Sequence, residues 1–82
     1  MTNKQKIKYL REEIREKERF ISQTRDSLAK EIILRDAGFK DEYFDKEAKV
    51  RWITEAQAEV DAFEREISRL TKIIDEGVED EE

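Results

Sequence analysis

Between Ile53 and Ile74, apolar residues recur at alternating steps of three and four: Ile53, Ala56, Val60, Phe63, Ile67, Leu70 and Ile74. That spacing places all seven on one face of a helix as an unbroken heptad seam. The first half of the chain carries a matching seam at Ile7, Leu10, Ile14, Lys17, Ile21, Thr24 and Leu28. Folding the chain back near Gly38 pairs the two seams antiparallel. Ile7 then meets Ile74, Leu10 meets Leu70, Ile14 meets Ile67, and Lys17 meets Phe63. Ile21 meets Val60, Thr24 meets Ala56, and Leu28 meets Ile53. The numbers in every pair sum to 80 or 81, so two separate patterns agree on one register. A short connection also favours antiparallel neighbours. The predicted fold is all-α: a two-helix antiparallel coiled-coil hairpin occupying residues 1–76 as a single domain.

Local signals set the predicted ends. Thr2-Asn3-Lys4-Gln5 has the form of a capping box, with the Thr hydroxyl accepting from a free backbone N–H and the Gln side chain reaching back. The first helix is predicted over 2–36 and the turn over 37–40. Gly38 suits a left-handed position just past a helix end, and Phe39 after it would face Leu34 in a Schellman arrangement. Asp41 is the predicted N-cap of a second helix over 41–76, which Gly77 stops. The chain contains no proline to interrupt either helix. Acid-first pairs at i and i+4, such as Glu13–Lys17 and Asp61–Arg65, recur on both helices. Each adds about 0.2–0.5 kcal/mol to an isolated helix.

Composition narrows the function. Charged residues make up 48% of the 82 residues and hydrophobic residues 37%. Periodic apolar positions separate the chain from a disordered one of similar charge. There is no Cys and no His. That excludes disulfides, thiolate nucleophiles, the usual zinc sites and an imidazole base. No cofactor is expected. Long apolar runs and a signal-peptide core are both missing, so no membrane association is expected and the predicted location is cytoplasmic, in a bacterial cell or a phage-infected host. Net charge is −5, unevenly spread. Residues 1–36 hold ten basic and seven acidic groups, net +3. Residues 37–82 hold seven basic and fifteen acidic groups, net −8. The two halves should attract.

A hairpin of this size buries little, and small folds without a metal or disulfide usually gain stability from association. Apolar side chains remain off the seam for that purpose. Phe39, Tyr43, Phe44, Trp52, Ile33 and Phe20 form the candidate partner or dimer surface, with most of the aromatic content gathered near the hinge. Large exposed apolar groups mark interfaces and aromatics suit their centres. A homodimer forming a four-helix bundle is therefore expected, together with a different protein as partner. Lys17 at the seam is read as a snorkelling side chain over Phe63, and Lys17→Leu as stabilising.

Other chemistry is weaker. Carboxylate pairs such as Asp41/Asp45, Glu12/Glu16 and Glu55/Glu59 are ordinary on a highly charged helix, and no apolar cleft separates their pKa values. No catalytic or metal-binding residue is assigned, and no enzymatic activity is expected. Lys4, Lys6, Lys8 and Arg11 make a basic start, but the acidic remainder argues against direct nucleic-acid binding. Asp75, Glu76, Glu79, Asp80, Glu81 and Glu82 form an acidic docking tail, with 77–82 expected to be disordered. Two functions follow. The first is a non-catalytic, self-associating hairpin that docks on or scaffolds another protein. The second is a small acidic inhibitor or nucleic-acid mimic acting on a nucleic-acid-handling enzyme. In size, acidity and helix content the chain is similar to small phage-encoded inhibitors, anti-CRISPR proteins among them; that similarity is one of type and carries no functional residue across.

Overall fold

A computed structural model, which describes residues 1–39 and 45–77, contains two helices packed against each other: α1, Asn3–Asp36, and α2, Lys46–Asp75. No strand occurs among the described residues. No helix among them is long and apolar enough to cross a membrane.

Both ends of α1 are fixed by short-range hydrogen bonds. Thr2 is extended (φ −73°, ψ 164°). Its hydroxyl accepts from the Gln5 N–H at 3.1 Å, and its own N–H donates to Gln5 Oε1 at 2.8 Å. This reciprocal pair satisfies two backbone donors that a bare helix end leaves open. At the other end Gly38 has φ +93°. Its N–H donates to the Arg35 carbonyl at 3.0 Å, and the Phe39 N–H donates to the Leu34 carbonyl at 2.9 Å. Those two bonds make the Schellman pattern. Nothing lies within 4 Å of where a Gly38 Cβ would stand. Glycine is therefore required for its backbone angle and not for space.

The second helix begins later than the sequence pattern indicates. Its N-cap is Asp45, extended at φ −122°, ψ 97°, whose carboxylate accepts from the Ala48 N–H at 3.0 Å. An extended Asp45 rules out a helix continuous from 41 to 76. The alternative cap, Asp41, lies outside the described residues, as do Tyr43 and Phe44. Ala48, one turn into α2, is buried. The helix closes at Glu76, and Gly77 follows with φ +78°. Asp75 and Glu76 are thus exposed parts of the helix end. Glu79, Asp80, Glu81 and Glu82 are outside the described residues.

The two seams form the core. Ile14, Ile21, Ala56 and Val60 cluster at its centre, with Ile53, Phe63 and Ile67 packed against them. Ile7 and Leu70 are buried nearer the free ends. Leu10, Leu28 and Ile74 are half-buried, so no seam position is exposed. Thr24 is buried too, and no buried side-chain N or O among the described residues lacks a hydrogen bond. Lys17 Nζ stands 5.9 Å from the centroid of the Phe63 ring, placing those two in one layer.

Beyond Leu28 and Ile53 the register turns polar. The heptad positions that follow are Glu31 on α1 and Lys49 on α2, both half-buried. The apolar groups at this end lie outside the seam: Ile33 and Phe39 are each 67% exposed, Val50 44% and Ile32 37%. The molecule is a rod of 61 × 15 × 14 Å. It exposes 6562 Å², whereas a compact monomer of this mass exposes about 5,200 Å².

Candidate interaction surface

Heptad spacing defines a flank beside the seam on each helix. On α1 it runs through Lys6, Glu13, Phe20 and Ser27; on α2 through Asp45, Trp52, Glu59 and Glu66. Antiparallel packing brings these two flanks to the same side of the rod. Contacts join the two helices along this side. Lys6 attracts Glu66 electrostatically. Lys49 Nζ donates to Ser27 Oγ at 2.6 Å, and Lys17 forms an ion pair with Glu59.

Midway along this side lies an open groove of about 300 Å³. Phe20 of α1 and Trp52 of α2 line it, 44% and 46% exposed, over Ala56. Glu13 and Glu16 stand on the α1 rim, and Glu55 and Glu59 on the α2 rim. Lys17 is the one basic residue lining it.

Lys17 has a specific electrostatic role. Glu13 and Glu59 both line the groove. The seam lysine leans out from beside Phe63 and joins Glu59, with Glu13 and Glu16 also attracting it. The hydrogen bond to Glu59 is the main reason that the Lys17 pKa is raised above its ordinary value; these neighbouring carboxylates add to it and desolvation opposes it. The within-helix pairing of Glu13 with Lys17 expected from spacing thus gives way to a pairing across the interface. Elsewhere, the Arg69–Glu66 pair lies within α2 and holds the Glu66 carboxyl below its ordinary range, chiefly by hydrogen bonding.

The predicted partner surface divides into separate places. Trp52 and Phe20 share the groove, while Ile33 and Phe39 do not line it. The impression of one aromatic hinge cluster came from closeness in sequence. Trp52 is already a turn and a half into α2, and its counterpart is Phe20, far along α1. The seam arithmetic, with sums of 80 or 81, does not single out that pair; the shared groove of the folded hairpin does. The opposite flank differs: Glu18, Arg25, Asp26 and Gln57 line a hollow with charges of both signs and no aromatic ring. No group of three or more acidic, His or Cys side chains that could hold a metal occurs among the described residues. No family model, curated protein or solved structure matches this chain.

Proposed function

We propose that this protein is a non-catalytic interaction module, a helical hairpin that docks on another protein and associates with a second copy of itself. The observation that carries the docking reading is the exposed Phe20–Trp52 pair in its groove. Large aromatics half-open to solvent on a small, charged rod are the groups that dominate binding energy when covered. The sequence holds neither His nor Cys for acid–base, nucleophilic or common metal chemistry. Self-association is supported by a second place, the exposed Ile32, Ile33, Val50 and Phe39 around the turn end of the hairpin.

A second reading, a small acidic inhibitor that occupies the basic surface of a nucleic-acid-handling enzyme, is favoured by the glutamates on both rims of the groove. One experiment addresses both. Immobilised full-length chain is used to capture partners from the native host, in parallel with Phe20→Ala/Trp52→Ala. Docking through the groove predicts a partner held by the parent chain and lost, by at least about tenfold, with the double variant. A partner retained equally by both baits defeats the docking reading. A nucleic-acid-handling enzyme among the groove-dependent partners would favour the inhibitor.

A further inference from the structure

Resting on the docking reading, we propose that the Phe20–Trp52 groove receives an arginine-bearing segment of the partner protein. The guanidinium stacks between the two rings and is held by Glu13, Glu16 and Glu55. Three features of the site select that occupant. The first is charge: four glutamates line the groove against one lysine, and Lys17 is already joined to Glu59. The remaining carboxylates form a field that attracts a cation and repels an acidic segment. A neutral apolar segment would bury those carboxylates without partners, which is costly.

The second feature is the aromatic pair. A cation over an aromatic face is attracted by the ring quadrupole, most strongly over Trp. Arginine gains more here than lysine, because its planar group stacks on rings while its fork of N–H donors reaches carboxylates on either side. The third is location. The opposite hollow mixes Glu18 and Asp26 with Arg25 and has no aromatic ring, so it offers neither interaction. Aromatic rings and an excess of carboxylates coincide on one side of the rod.

Trp52 is the only tryptophan in the chain, so its fluorescence reports directly on the groove. The full-length protein is titrated with a short capped peptide carrying two arginines beside a leucine, and with its lysine counterpart. The proposal predicts a saturable change in emission that is stronger for arginine and weakens several-fold between low and high salt. The variant E13Q/E16Q/E55Q should bind about tenfold more weakly. The charge-matched variant E18Q/D26N/E64Q, on the other side, should stay within about twofold. Lys17→Met should tighten binding, since it removes the groove's own cation. Circular dichroism verifies that each variant keeps its helices.

Equal weakening by both triple variants would overturn the proposal, because binding would then follow net charge alone. A lysine peptide that binds as tightly as the arginine peptide would overturn it as well. So would a peptide-free emission shift that grows with protein concentration and vanishes in the groove variant, since the occupant would then be a second copy. If the peptides fail while a captured partner still requires Phe20 and Trp52, only the arginine assignment falls. If no captured partner requires them, the docking reading falls first.

Discussion

At the scale of the residue, Lys17 is the most informative side chain. A lysine in a hydrophobic seam looks like a defect that leucine would correct. Its surroundings reduce that gain. The side chain already covers Phe63 and joins Glu59, contributions of about 0.5 kcal/mol each at a partly exposed site. A half-buried leucine recovers about 1 kcal/mol by burial. Lys17→Leu should therefore shift stability at pH 7 by no more than about 0.5 kcal/mol, read by urea denaturation. The difference should depend on pH. A lysine whose folded pKa is raised contributes its stabilisation below the unfolded value, 10.5, and loses it as pH rises through the folded value. The parent chain should weaken relative to Lys17→Leu as the pH rises above 10.5. A gap that stays constant over that range would show that the pair with Glu59 contributes nothing in solution.

At the scale of the element, the two helices show what a sequence does and does not reveal. Both ends of α1 are written in adjacent residues: Thr2 with Gln5, and Gly38 with Phe39 after Leu34. Local hydrogen bonds decide them, so local sequence suffices. The start of α2 is different. Asp41 and Asp45 are both good caps, and Glu42–Lys46 and Asp45–Lys49 are both good helix pairs. Choosing between the two starts depends on packing, and Ala48 is buried in the turn that Asp45 caps. The cap makes a prediction. Asp45→Ala should cost about 1 kcal/mol in chemical denaturation, while Asp45→Asn, which can still accept from Ala48, should cost only a few tenths. Equal losses would assign the effect to charge near the helix end and not to the hydrogen bond. The seam residues themselves were legible in their heptad spacing, and none of them is exposed. The groove was not, because its residues lie one step off the seam and far apart in sequence. Only the folded hairpin brings Phe20 and Trp52 into one groove.

At the scale of the whole molecule, the question is what completes a rod with so thin a core. From the centre to the free ends the seam is sound, with Val60 and Leu70 each only 2% exposed. The turn end is not: Glu31 and Lys49 fill the seam there, while Ile32, Ile33, Val50 and Phe39 face outward. Ile32 and Val50 are both exposed, and neither lines the groove. A second hairpin covering that end would bury its apolar side chains and leave the groove free for its partner. An interface of ordinary size removes about 800 Å² from each protein, well within the surface this rod exposes beyond that of a compact monomer. Dimerisation links stability to concentration. The melting temperature should therefore rise with protein concentration, and light scattering should give twice 9.9 kDa. Ile32→Glu/Val50→Glu should yield a monomer with a lower and concentration-independent melting temperature. Phe20→Ala/Trp52→Ala should remain dimeric. A parent chain that scatters as a monomer and unfolds cooperatively at one temperature across a hundredfold range of concentration would remove self-association while leaving the groove untouched. A dimer lost with the Phe20/Trp52 variant instead would move the self-contact into the groove and displace the arginine segment from it.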